Sequence, residues 1–277
     1  MVAQQQERAT VLVACVAAGL MVCGTGCSGS GVAAEAVRTG PGTLETLRRA
    51  VSALERAGSA KASTSMEMAT GGTRVTIRGQ GVYDFRKQTG RLKVVLPQDP
   101  AGTTEHRPIT ELLAPGALFM KNRGAGVPAD KWVRVATAGL TDGNLVTGGA
   151  TDPYAAAELL RGARSVTYVG RTEVAGIPVR HYRGTADLGV AARGASAGQR
   201  PALTAAAKGF ATAEVPFDAY LDDQGRLRKV RHRFSFVNGQ SKGTVDVAST
   251  LLLYDFGSPA VVRLPDSSDI YAGKIAE

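Results

Sequence analysis

The apolar residues of this chain change their spacing along its length. Residues 11–22, VLVACVAAGLMV, are apolar without interruption. Over residues 41–58, PGTLETLRRAVSALERAG, apolar side chains recur at Leu44, Leu47, Val51 and Leu54. That spacing puts them on one face of a helix, with Thr43 as its N-cap and Gly58 as its stop. From about residue 62 the period falls to two. Met66 and Met68 alternate with polar neighbours. Val75, Ile77, Tyr83 and Phe85 take one side of the next run, and Arg74, Thr76, Arg78 and Gln80 the other. Leu92, Val94 and Leu96 repeat the pattern. Such alternation marks antiparallel strands with one dry face and one wet face.

Residues 114–121 and 130–135 read as two further strands. Asp152 before Pro153 predicts the N-cap and first position of a short helix over 151–163. Strands resume at RSVTYVG, TEVAG and IPVRHYRGTAD. Residues 188–212 break the alternation and read as a loop followed by one helix from about residue 201. A hairpin follows, turning at Asp222-Asp223-Gln224-Gly225, where glycine suits the fourth turn position. In its second arm Val230, His232, Phe234 and Phe236 share the apolar face, and Lys229, Arg231 and Arg233 the polar one. A last strand runs through GTVDVASTLLLYDF. Helices and strands do not alternate strictly, so a doubly wound fold is excluded. The pattern predicts an α+β domain: a large curved antiparallel sheet, a half-barrel, with helices packed on its concave face.

The uninterrupted apolar run is too short to span a bilayer as a helix and suits an export signal. Gly24, Gly26 and Gly29 match G-x-G-x-x-G, but a phosphate cradle needs a strand before the glycines and a helix after them. Thr25-Gly26-Cys27 instead fits the end of a lipoprotein signal, with Gly24 departing from the aliphatic residue expected there; an ordinary cleaved secretion signal is the other reading. The expected organisation is a signal peptide over 1–26, a lipidated Cys27 with a flexible tether over 27–40, and a single domain over 41–277. A tether of that composition spans about 20 Å. Cys15 and Cys23 leave with the signal, so the mature domain has no disulfide and relies on its core.

Net charge is +9. That balance suits an anionic membrane surface or nucleic acid. Export argues against nucleic acid, and no aromatic platform accompanies the basic stripe. Lys229, Arg231 and Arg233 are the candidate membrane or partner face; a solvated strand face is the plain alternative. Gly194-Ala195-Ser196-Ala197-Gly198 matches the nucleophile elbow G-x-S-x-G, but GVAAR before it is a poor strand. A serine hydrolase acting through Ser196 is therefore a remote reading. His106, His181 and His232 lack metal-ligand spacing, and no metal or cofactor is implied. His232, on an apolar strand face, reads as a satisfied core histidine.

Short Ala-rich helices over a broad sheet leave room for an apolar hollow, and methionines adapt to loosely specified apolar ligands. Alternation nominates its lining: Leu44, Leu47, Val51 and Leu54 from the first helix, and Met66, Met68, Val75, Ile77, Phe85, Val94 and Met120 from the strands. Phe234 and Phe236 join them from the hairpin.

The lipoprotein signal, the N-terminal helix, DKWVRV, DPYAAAELLRGARSVTYVGRTEVAGIPVRHYRGTAD, VPFDAYLDDQGRLRKVRHRF and LYDFGSPAVVRLP together resemble the actinobacterial LppX/LprG lipoproteins over most of residues 41–266. The resemblance implies a LolA/LolB-like fold enclosing a hydrophobic cavity, and carriage of acylated lipid or lipoglycan at the outer side of the cell membrane without catalysis. A non-catalytic envelope interaction or sensing module without lipid cargo is the alternative. If Cys27 carries the anchor, Cys27→Ala loses incorporation of labelled palmitate and moves the protein from the membrane to the soluble fraction; unchanged labelling refutes the assignment.

Overall fold

The computed structural model describes residues 41–70, 73–97, 107–122, 126–237 and 244–273. The signal peptide, Cys27, the tether and His106 lie outside the described residues. Helix α1 spans Pro41–Ala57. It starts ahead of Thr43, which therefore lies inside its first turn and does not cap it. Gly58 ends it in the left-handed region, φ +83°, where a side chain would be strained, and its amide donates to the Leu54 carbonyl at 3.1 Å.

Eleven strands form one open antiparallel sheet. β1 (Ser59–Thr70), β2 (Thr73–Asp84), β3 (Thr89–Val95), β4 (Ile109–Ala114), β5 (Ala117–Lys121) and β6 (Trp132–Ala136) run as one meander. β7 (Ala163–Val174), β8 (Ile177–Asp187), β9 (Glu214–Leu221), β10 (Leu227–Val237) and β11 (Thr244–Tyr254) run as a second. The two meanders are joined by β1 pairing with β11, in register from Lys61 opposite Tyr254 to Ala69 opposite Asp246. β6 and β7 are thus the two outer edges, and residues 137–162 connect them across the concave face.

That connection carries α2 (Pro153–Glu158) and a 3₁₀ turn over Leu159–Gly162, so the helix expected over 151–163 is shorter and tightens at its end. Two helices, α3 (Leu188–Gly194) and α4 (Arg200–Gly209), replace the loop and single helix expected over 188–212. Asp187 is the signal that was missed: its carboxylate accepts from the Val190 amide at 2.7 Å and caps α3. The inner faces of the helices and of the sheet share one core, including Leu47, Leu54, Leu92, Tyr154, Leu188, Leu203 and Phe217.

Three strand assignments change. The run at 114–121 is split by Pro115-Gly116 into β4 and β5. β4 shows no alternation because both its faces are covered: Leu113 joins the main core, while Leu112 lies in a second cluster with Phe119, Trp132, Val262 and Ile270. The cover on that outer side is the segment after β11. Its Gly257 amide donates to the Ser59 carbonyl and its Tyr271 amide to the Trp132 carbonyl, each at 2.8 Å. RSVTYVG and TEVAG are a single strand, β7, with a register shift between Tyr168 and Gly170. Its hairpin turns at Ala175-Gly176, both at positive φ.

The curvature is built with small residues. At Gly81, an added Cβ would stand 1.8 Å from the Arg91 carbonyl oxygen on the next strand. No rotamer relieves a clash with backbone, so the strands would have to separate. Gly81→Ala is expected to cost at least ~2 kcal/mol in denaturant unfolding; an unchanged midpoint contradicts this account of the bend.

Candidate functional site

The inner wall of the sheet and the helices against it hold the lining residues nominated from the sequence. Leu47, Val51, Leu54, Met66, Phe85 and Val94 are at most 1% exposed, so no water-sized space touches them. Ile77, Met120 and Phe234 are buried as well. Leu44, Met68 and Val75 are partly exposed and pack on the margin of the same core. Met68 and Val75 face each other across β1 and β2, where the hairpin ends. Phe236 has its backbone in β10; its side chain lies outside the described residues. The interior between sheet and helices is therefore closed at its centre, and its partly exposed apolar residues include Met68, Val75 and Leu96.

The covering segment is buried from Asp142 to Leu160 except at Thr147. A buried loop must satisfy its own polar groups. Asp142 does so by accepting from the amides of Asn144, Val146 and Thr147 at 3.1, 2.7 and 2.6 Å. The Thr151 hydroxyl donates to the Leu145 carbonyl and lies 2.5 Å from the Ser249 hydroxyl of β11, tying the loop to the sheet. Asp152 caps α2 through the Tyr154 amide at 2.8 Å and accepts from the Gln199 side chain at 3.2 Å. Burial pushes the Asp152 carboxyl up, against the lowering effect of these donors. Glu158, wholly buried, accepts from the Ser196 amide at 2.9 Å and pairs with Arg161 at 3.3 Å. Burial raises its pKa too, opposed by the Arg161 charge. The Tyr154 hydroxyl donates to Glu55, linking α2 to α1. These bonds bolt the helices to one another.

The same geometry disposes of the nucleophile elbow. Ser196 is entered from helix α3, not from a strand. Its amide donates to Glu158, and its hydroxyl lies 3.5 Å from the Gln88 side-chain oxygen Oε1. Of the described histidines, His181 is bound to Asp218 on the outer face and His232 is enclosed in the core. Among the described residues no cluster of His, Cys, Asp or Glu could hold a metal ion.

His232 differs from the satisfied core histidine expected. It is 1% exposed, beside Phe217 and Phe234, and its Nε2 has no hydrogen-bond partner. Burial alone pushes its pKa down to about 3.

On the outer face the Lys229–Arg233 stripe is partnered. Arg233 reaches Asp218 at 3.1 Å and Arg231 reaches Glu67 at 3.6 Å, while Lys229 lies over the Tyr220 ring at 5.2 Å. Asp218 also accepts from His181 at 2.8 Å and Arg183 at 2.9 Å. Burial works to raise its pKa, but these three donors outweigh it and hold the carboxyl below the usual range. Sequence reading missed Asp218 because its partners sit on two other strands, His181 and Arg183 on β8 and Arg233 on β10.

An open antiparallel sheet with its apolar face turned onto a few short helices places the chain among the α+β half-barrels. No family model matches it, and no curated protein sequence does. Solved structures similar to it include the lipoprotein LppX of Mycobacterium tuberculosis, with TM-score 0.46 and 12% identity, covering 80% of this chain and 99% of that one. LprF from Mycobacterium bovis is similar at TM-score 0.41 and 13% identity, over 82% of this chain and 98% of that one. A LolA superfamily protein from Nitrosomonas europaea follows at TM-score 0.35 and 11% identity, over 83% and 97%.

The buried imidazole generates a pH prediction. The folded pKa is about 3 and the unfolded one about 6.5, so below pH 6.5 the unfolded chain binds a proton that the folded protein refuses. This contribution to stability is whole above pH 6.5 and is lost as pH falls toward 3, at about 1.4 kcal/mol per pH unit. His232→Leu should flatten that slope in denaturant titrations; parallel curves for the two proteins would contradict it.

Proposed function

We propose that this protein is a membrane-anchored extracytoplasmic lipoprotein that binds an acylated lipid or lipoglycan between its sheet and its helices, without catalysis. One observation carries the reading: the wall on both sides of the interface is apolar and finely grained. Met66, Ile77, Leu92 and Val94 on the sheet join Ala155, Ala156, Ala191 and Ala206 on the helices in one core. Such a wall gives hydrocarbon a dry surface. The LppX/LprG resemblance and Cys27 supply the anchor and the class of cargo.

The closed centre sets a condition on loading. A lipid tail enters only as the short helices move outward, starting where Met68 and Val75 are already partly exposed. Burying an acyl tail of about fifteen methylenes returns on the order of 12 kcal/mol. Against it stands the loss of the contacts that Leu188, Leu203 and the alanines of α3 and α4 make with the sheet. A headgroup, or the glycan of a lipoglycan, stays outside.

Native mass spectrometry of the full chain, purified from membranes in mild detergent, tests this. The expected spectrum shows non-covalent adducts with acyl-lipid masses, beyond those of the covalent anchor. A spectrum free of such adducts, together with no uptake of added lipid, excludes the carrier. The closed interior then favours the second reading, a non-catalytic interaction module.

A further inference from the structure

The outer face of β2 and β3 carries four cations: Arg74 and Arg78 from one strand, Arg91 and Lys93 from the other. All four are exposed. Among the described residues none of them has an acidic partner, in contrast to Lys61, Arg183, Arg226, Arg228, Arg231 and Arg233. Register packs them closely. Arg78 stands opposite Val95, and Gln80 opposite Lys93, so Arg78 and Lys93 are diagonal neighbours. Diagonal positions are ~7–8 Å apart, within reach of long side chains, and like charges so placed repel. The acids bordering this face are already engaged. Glu67 pairs with Arg231, and Asp84 accepts the amides of Arg86 and Lys87 in the turn below. Between the two strands runs a groove of about 520 Å³, lined by Thr76, Arg78, Gln80, Lys93, Val95 and Pro97 among others. Val95 is 49% exposed, an apolar side chain amid these cations.

We infer that the outer face of β2–β3 docks on an anionic phospholipid surface. The repulsion between Arg78 and Lys93 is relieved when lipid phosphates lie between them. Thr76 and Gln80 supply neutral hydrogen-bond donors to the same headgroups, and Val95 reaches toward the acyl boundary. The stripe singled out in the sequence, Lys229 to Arg233, is a weaker docking face because two of its three cations are paired, Arg231 with Glu67 and Arg233 with Asp218. This inference is independent of lipid cargo: its residues lie on the sheet face opposite the helices.

The test is co-sedimentation of the full chain with vesicles of phosphatidylcholine alone and of phosphatidylcholine mixed with phosphatidylglycerol. The N-terminal region is common to every sample, so the ratio between the two vesicle types reports on the folded face. The wild type is expected to prefer the anionic vesicles, and added salt to abolish the preference. Arg78→Gln with Lys93→Gln should weaken binding to the anionic vesicles about 25-fold, leaving binding to neutral ones unchanged and the thermal melt no lower than that of the wild type. Arg231→Gln should weaken it by less than about threefold. Equal binding to both vesicle types overturns the inference. So does a double variant that keeps the preference, or an Arg231→Gln loss as large as that of the double variant. Co-purified lipid, read separately, does not depend on either substitution.

Discussion

The architecture hangs on one covalent constraint. The two edges of the sheet, β6 and β7, are the two ends of a single connecting segment, and that segment crosses the concave face. A sheet whose edges are leashed across its own inner side cannot flatten. It must curl around whatever the leash carries, and here the leash carries α2 and the buried loop from Asp142 onward. Curling in turn demands glycine where strands crowd, as at Gly81, and alanine where helices approach. The chain's aromatic content of only 5% and its 34 glycines then have a structural meaning.

Crossing an apolar face with peptide carries its own cost, because every buried amide needs a partner. Asp142, Thr151 and Asp152 meet that requirement at successive points along the leash, and Glu158 meets it for the Ser196 amide between α3 and α4. The hydrogen-bonded polar network is consequently concentrated in the covering layer, and the wall of the sheet is mostly hydrocarbon, with Thr64, Glu111 and Ser249 among its buried polar members. His232 and its unpartnered Nε2 form the main exception on the β10 wall.

Sequence patterning revealed the sheet wherever one face is wet: β1, β2, β3, β10 and β11 alternate plainly. It failed at β4, where a C-terminal strap dries the outer face and removes the alternation. It failed at α3, a helix of seven residues whose single strong signal is the cap at Asp187. The strand residues nominated as lining that are described face the inner side of the sheet because inward parity follows from period two. Whether that wall meets solid helix or open space depends on how deeply the helices settle, which no periodicity records. The charge pattern shows the same boundary. Lys229, Arg231 and Arg233 stand out along the chain, yet the acids that pair with two of them come from other strands, Glu67 on β1 for Arg231 and Asp218 on β9 for Arg233. Arg78 and Lys93, modest in the sequence, become neighbours only through register.

The seam between β1 and β11 also sets a kinetic order. Among the described residues β1 is the first strand and β11 the last, yet they are partners at the middle of the sheet. Until β11 is in place, β1 presents a bare row of amides and carbonyls, and the two meanders have no common frame. Contacts of such high sequence separation make folding slow and leave intermediates open to strand-to-strand association. The complete chain must therefore be available before the structure locks, and the interval before locking is when a holding chaperone has most to protect.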